Sequence, residues 1–300
     1  MRKLMTLCRI IRILLSSSLF IWTIGLVTAY AADFAQVEKI LGVTGQMEEG
    51  AFVVRFPRSD MKVMIDGEAV PTALGFGSWT AWKDMGKDSM VMGDLVLLEK
   101  EINPVISALA DSNINVTALH NHFLRENPRI MYMHIYGMGS APALARGVRS
   151  ALDKTATPKQ HPTTAVPSQP ALALDIKRIE QIIGHQGQPG GGVFKITLGR
   201  PGVKMGGTEL TASMGLNTWA AFVGTNQSAH VAGDVAMTAP EVNPVIRALR
   251  RGGIDIVAVH NHMLDEEPRI FFLHYWGTGP AEKLAQTVRE AFDQAKGPVR

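Results

Sequence analysis

Cysteine is nearly absent: the chain has one, Cys8, and it falls in an amino-terminal segment that reads as a cleavable leader. Without that segment the protein has no disulfide, no thiolate nucleophile and no sulfur-ligated zinc site. Long apolar runs are also missing. The longest, Ile13 to Val27, is shorter than the ~20 residues a membrane span needs and contains Ser16, Ser17 and Ser18. Behind the basic head (Arg2, Lys3, Arg9, Arg12) and before Ala29-Tyr30-Ala31, a small-x-small cleavage signal, this run predicts a signal peptide over 1–31. The predicted product starts at Ala32 and is periplasmic or extracellular. No lipid-attachment cysteine stands at the cleavage point, and no stable span remains after cleavage.

An excess of positive charge is absent as well. The formal charge of +3 comes from 30 basic and 27 acidic residues, and four of the basic ones lie in the leader with no acidic one beside them. The remainder, about −1, gives no basis for nucleic-acid binding.

What the sequence does have, it has twice. His120-Asn121-His122-Phe123-Leu124, Pro128-Arg129-Ile130, His134 and Gly137-x-Gly139 return as His260-Asn261-His262-Met263-Leu264, Pro268-Arg269-Ile270, His274 and Gly277-x-Gly279, always 140 positions later. Six of the nine histidines lie in these stretches. The expected organisation is a first repeat domain over 32–153, a linker over 154–171 with Pro158, Pro162, Pro167 and Pro170, and a second repeat domain over 172–300. Of the remaining histidines, His161 falls in the linker, and His185 and His230 have no histidine counterpart in the other copy.

Within each copy the pattern predicts an α+β domain, a mainly antiparallel sheet with helices packed against it, in the order helix, strands, helix, β-hairpin, helix. Asp33–Gly42 and Asp175–Gly184 read as short amphipathic helices with an Asp N-cap and a Gly stop. Strands are predicted at 52–56, 78–82 and 90–98, and at 194–198, 217–222 and 230–237. Gly93-Asp94 and Gly233-Asp234 read as a turn or bulge, with a functional carboxylate as the lesser reading. Asn103-Pro104 and Asn243-Pro244 read as helix starts. The histidine stretch is expected to form a hairpin of strands 114–124 and 129–136, matched by 254–264 and 269–276. The last helix carries Leu144, Val148, Ala151 and Leu152, or Leu284, Val288, Ala291 and Phe292, on one face.

In a strand, His120, His122 and Leu124 share a face. If Leu124 pairs with Ile130, His122 stands opposite Tyr132 and His120 opposite His134, so three imidazoles meet on one side of one hairpin. The expected ligand sets are therefore His120, His122 and His134, and His260, His262 and His274. Such a triad suits a borderline divalent metal, Zn²⁺ first, with Cu²⁺, Ni²⁺ or Fe²⁺ as alternatives, and leaves a position for water. Candidate carboxylates are Glu126 and Glu266 in the turns, and Glu101 and Glu241 at the preceding helix. The competing reading makes the histidines hydrogen-bonded structural groups. Arg129, Gly137 and Gly139, with Arg269, Gly277 and Gly279, form a candidate anion site before a helix, although two glycines more often make a plain turn.

The doubled pattern HNHxLxxxPRIxxxHxxGxG resembles the bacterial LppY/LpqO family, a family of exported domains of unknown function. The resemblance covers essentially the whole chain after the leader. It implies an exported protein and supplies no reaction or catalytic residues. Two functions follow as expectations: divalent-metal binding through a His triad in each repeat, with hydrolysis as its chemistry, or a non-enzymatic module that binds an anionic ligand or cell-envelope component while the histidines are structural.

Overall fold

A computed structural model of the chain describes residues 34–159 and 172–295. The expected leader and most of the expected linker lie outside the described residues. The first half runs α1 (34–41), β1 (Gly45–Glu48), β2 (Ala51–Pro57), β3 (Val63–Ile65), β4 (Glu68–Val70), β5 (Gly77–Asp84), β6 (Ser89–Leu98), α2 (Ile102–Asp111), β7 (Asn115–His120), β8 (Glu126–Asn127), β9 (Ile130–Gly139) and α3 (Ala141–Leu152). The second repeats this order as α4 (Ile176–Ile183), β10 (Gln188–Gly190), β11 (Val193–Gly199), β12 (Lys204–Met205), β13 (Thr208–Glu209), β14 (Asn217–Gly224), β15 (Ala229–Met237), α5 (Ala239–Arg251), β16 (Asp255–His260), β17 (Glu266–Glu267), β18 (Phe271–Gly279) and α6 (Ala281–Gln294).

The short opening helices end where a glycine can take the left-handed conformation. Gly42 (φ +74) and Gly184 (φ +79) donate to Glu38 O and Glu180 O at 2.8 and 2.7 Å. Asp175 caps α4 by accepting from the Arg178 N–H at 3.0 Å. Each half then builds one antiparallel six-stranded sheet, β1-β2-β5-β6-β9-β7 and β10-β11-β14-β15-β18-β16, with a three-stranded satellite sheet beside it, β4-β3-β8 or β13-β12-β17. The α+β class and the two similar domains are as the sequence pattern predicts.

The alternation of residues along these strands gives each sheet two apolar faces with different partners. One face packs its own helices: Val54, Trp82, Leu95 and Ile135 bury against Leu109, Leu144 and Val148, with the same arrangement in the second half. The other face meets the opposite half. Val53, Ala81 and Met92 share a core with Met214, Leu216 and Phe272, and Phe123 and Tyr132 share one with Trp219 and Trp276. The layering is therefore helices, sheet, sheet, helices, with the two inner faces forming the junction. Polar bonds cross it too: Thr117 Oγ1 donates to His262 O at 2.6 Å, and Asn261 Nδ2 donates to Thr117 O at 2.9 Å.

Three local expectations are corrected. The helix before the histidine stretch begins earlier than Asn103 or Asn243. Glu101 and Glu241 accept from the N–H of Leu98 and Thr238 at 2.9 and 2.7 Å, so a glutamate-centred cap starts the helical chain ahead of the Asn-Pro pair. Gly93-Asp94 and Gly233-Asp234 are not turns but lie mid-strand in β6 and β15. A Cβ at Gly233 would sit 2.4 Å from Trp219 O and 2.1 Å from the Tyr275 hydroxyl, so glycine is there for close packing. Finally, the hairpin register is shifted by two: His120 pairs with Tyr132, while Ala118 stands opposite His134, after a bulge between Val116 and Ala118. The second half has the same bulge between Ile256 and Ala258. An even shift keeps the histidines on the expected face. The outgoing strand stops at His120 because the chain leaves to pair Glu126–Asn127 with β3.

Candidate metal centre

Register places a chemical row across each inner sheet face. In the first half Arg55, Trp79, Asp94 and His134 are successive cross-strand neighbours; in the second the row is Thr197, Trp219, Asp234 and His274. The edge strands add His120 and His260, and the loops beyond them add His122 and His262. Because these faces meet at the junction, the six histidines collect in one cluster rather than two.

The ring contacts follow a pseudo-twofold relation. His120 stacks on His260 with centroids 3.6 Å apart. His122 lies 3.7 Å from His274, and His134 lies 3.8 Å from His262. Aromatic beds hold the outer rings: Tyr132 lies under His122 at 3.3 Å and Phe272 under His262 at 3.4 Å.

Burial holds these imidazoles neutral. It pushes His120 down to about 4. His122, His134, His260, His262 and His274 also fall well below the usual range, through burial first and the neighbouring imidazoles second. A neutral imidazole has one N–H and one lone pair, and backbone carbonyls decide which nitrogen carries which. The Nδ1 atoms of His120, His260, His262 and His274 contact Asn121 O, Asn261 O, Gly215 O and Gly233 O at 3.3, 3.2, 3.2 and 3.1 Å. A carbonyl can only accept, so in these four the proton is on Nδ1 and the lone pair on Nε2. All six Nε2 atoms are buried with no protein hydrogen-bond partner. Donor atoms of His120, His260, His262 and His274 lie within 4.8 Å of one another, close enough for one metal ion. This group takes one ring from the first half and three from the second, so neither expected triad stands alone.

Two carboxylates adjoin the cluster that the turn reading of Gly-Asp had left aside. Asp94 and Asp234 are buried, each with an unpartnered Oδ1. Asp234 Oδ2 lies 3.5 Å from His262 Nε2 and 3.9 Å from His274 Nε2. Burial raises both carboxyls, Asp94 to about 7 and Asp234 well above the ordinary range. The signal in the sequence was a charged residue inside an otherwise apolar strand, repeated 140 positions later.

The other candidates lie elsewhere. Glu126 and Glu266 accept from the Ile130 and Ile270 N–H at 3.4 and 3.0 Å and pair with Arg129 and Arg269 at 3.6 and 3.4 Å. Arg269 also donates to Met263 O and Leu264 O at 3.3 and 2.5 Å, so each Glu–Arg pair ties its own loop. Glu101 and Glu241 hold the buried Arg58 and Arg200, each at 2.8 Å. A Cβ at Gly137 would meet Leu144 at 2.9 Å, and one at Gly277 would meet Ile254 at 2.9 Å and Leu284 at 3.1 Å, which makes these glycines packing positions beneath the final helix. Gly139 (φ +156) and Gly279 (φ +147) end the strands β9 and β18.

A cavity of about 630 Å³ opens beside the cluster, and its lining includes His122, His134, His262, His274, Asp94 and Asp234 together with Trp79, Trp219, Arg55 and Lys195. That volume suits a small molecule. None of Glu126, Glu266, Arg129, Arg269 or the four glycines lines it.

The chain belongs to the family described as Domain of Unknown Function (DUF1259), whose model matches residues 35–154 and again 177–294. It is thus a tandem duplication of an uncharacterised domain. No curated protein matches the sequence. Among solved structures it aligns with PduB, a trimeric bacterial microcompartment shell protein, at 13% identity over 84% of this chain and 90% of that one, with a TM-score of 0.21. It aligns with EtuB from Clostridium kluyveri at 11% identity over 83% and 89% of the two chains, with a TM-score of 0.20. Likeness this slight carries no argument about function. Among the described residues no helix is long and apolar enough to cross a membrane.

Proposed function

We propose that the protein binds a divalent transition metal in one composite centre at the junction of its two halves. Nε2 atoms of His120, His260, His262 and His274 are the ligands, and Asp94 and Asp234 flank them. One observation supports this above the rest: six buried Nε2 atoms without a hydrogen-bond partner converge where the halves meet, four of them with the proton held on Nδ1. Carbonyl oxygens that accept from Nδ1–H fix the ring tautomer, as they do for histidines that bind metal through Nε2. Neutral imidazoles suit Zn²⁺, with Cu²⁺, Ni²⁺ or Fe²⁺ also compatible. A bound ion would polarise an oxygen or acidify a water facing the cavity, and hydrolysis is the reaction class this favours. Export by a cleaved leader stays part of this reading, because an extracytoplasmic metal site built from imidazole needs no reduced thiols.

Elemental analysis of untagged protein tests it. About one ion per chain is expected. His120→Ala with His260→Ala should abolish retention, and His262→Ala should weaken it by at least about tenfold, as loss of one ligand does. Unmodified, folded protein that retains no stoichiometric Zn²⁺, Cu²⁺, Ni²⁺ or Fe²⁺ after loading and dialysis refutes the reading.

A further inference from the structure

The cavity beside the histidines is built from two repeats, yet its walls differ. On β2 and β11 the residues directed into it are Val53 and Arg55 in the first half, and Lys195 and Thr197 in the second. Val53 stands opposite Ala81, and Lys195 opposite the matching Ala221. One half therefore offers a methyl surface where the other offers an ammonium group.

The two cations in this wall are not equivalent. Arg55 is bound on both terminal nitrogens by Glu48, at 2.6 and 2.7 Å. Among the described residues, Lys195 forms no ion pair with any carboxylate; its Nζ sits 4.2 Å above the Trp219 ring. Asp234 is the acid near enough to influence it, and the pull of Asp234 is weaker than the effect of burial, which lowers Lys195 to about 8. The lysine stays protonated at neutral pH. A half-buried cation without a counter-ion is costly to keep, so it points to a ligand that supplies the charge. The cation–π contact fixes where the charge sits. Trp79 and Trp219, from matched positions on the two sheets, add apolar aromatic surface to the cavity lining.

We infer that the cavity takes a small organic oxyanion with a flat apolar body, whose phosphate or carboxylate is held by Lys195 while its other end lies at the histidine cluster. This rests on the metal-centre reading for the chemistry at that far end. The charge on the ligand accounts for the lysine, the aromatic pair accounts for the body, and the asymmetry between Val53 and Lys195 gives a single orientation.

Calorimetric titration of metal-loaded protein at low ionic strength tests it, with phenyl phosphate and benzoate as probes and phenol as the uncharged control. At least one of the two anions should bind saturably and about tenfold or more tighter than phenol, and which one prevails tells phosphate from carboxylate. Lys195→Met should remove that advantage, and Lys195→Arg should keep it within about threefold. Anion binding that is unchanged in Lys195→Met, or no tighter than phenol in the unmodified protein, overturns the inference. The phenol comparison needs no variant and decides even if Lys195→Met fails to fold. Metal content measured on the same samples separates the two readings: retained metal without lysine-dependent anion binding removes only the anchor, whereas absence of metal removes both.

Discussion

Acid should destabilise the metal-free protein over a pH range where most folded proteins are indifferent, because of the neutral imidazoles. His120 titrates near 4 when folded, against 6.5 in an unfolded chain. Between those values the unfolded state binds the proton and the folded state does not, so this contribution is complete above about 6.5 and is lost as pH falls toward 4. A depression from 6.5 to about 4 corresponds to roughly 3 kcal/mol. Five further histidines shift in the same direction.

The two carboxyls work the other way. Asp94 is raised from 3.8 to about 7, so its stabilising effect is greatest in acid and fades as pH rises through 7. It opposes His120 by a similar amount, and Asp234 opposes a second histidine. Four lowered histidines remain unmatched, and they decide the sign. With a net effect no larger than the His120 contribution, roughly 3 kcal/mol, and about 2–4 °C per kcal/mol for a chain of this size, the melting temperature should fall by roughly 6–12 °C between pH 7 and pH 4.5. Thermal unfolding of chelator-treated protein in buffers matched for ionic strength measures this. A melting temperature that is flat or rises over that interval refutes the claim that the cluster is buried and neutral.

Two structural predictions accompany it. Gly233→Ala places a methyl 2.1 Å from the Tyr275 hydroxyl and 2.4 Å from Trp219 O, and should cost about 1–3 kcal/mol in urea unfolding; a neutral result would show that β14 and β18 yield more than their register implies. Arg58→Met leaves Glu101 buried against a lost partner at 2.8 Å and should cost about 3–5 kcal/mol by the same assay, with a loss under 1 kcal/mol contradicting a buried pair.

Much of this architecture was legible from local pattern. The duplication, the α+β class, the strands at 78–82 and 90–98 and the stripe of Leu144 and Val148 all follow from period and spacing. What was not legible depends on tertiary context. Gly93-Asp94 has the composition of a turn, but its strand continues because the glycine admits a neighbouring carbonyl and the aspartate faces the junction. The register slipped by two because the outgoing strand ends at His120 and the chain departs to pair Glu126–Asn127 with β3, a tertiary pairing that no local signal announces. The Asn-Pro helix start lost to glutamates that cap the chain a few residues earlier. Most of all, periodicity within one repeat shows that His120, His122 and His134 share a face, but not that this face meets its copy. The merging of two expected triads into one cluster is a property of the junction.

That merging also bears on whether the histidines are merely structural. A buried polar atom left unsatisfied costs about 1–3 kcal/mol, so six such Nε2 atoms amount to roughly 6–18 kcal/mol, as large as the whole stability of a typical protein at about 5–15 kcal/mol. Water entering the cavity can relieve His122, His134, His262 and His274, which line it. It offers less to His120 and His260, which do not line the cavity and press against each other at 3.6 Å, with their Nδ1 atoms held by Asn121 O and Asn261 O. Those two rings belong to opposite halves and are related to each other by the pseudo-twofold relation, so neither half can satisfy its own. A cation between the halves would accept both lone pairs at once. This is why the central pair His120 and His260, more than the outer rings, distinguishes a metal centre from a hydrogen-bonded core.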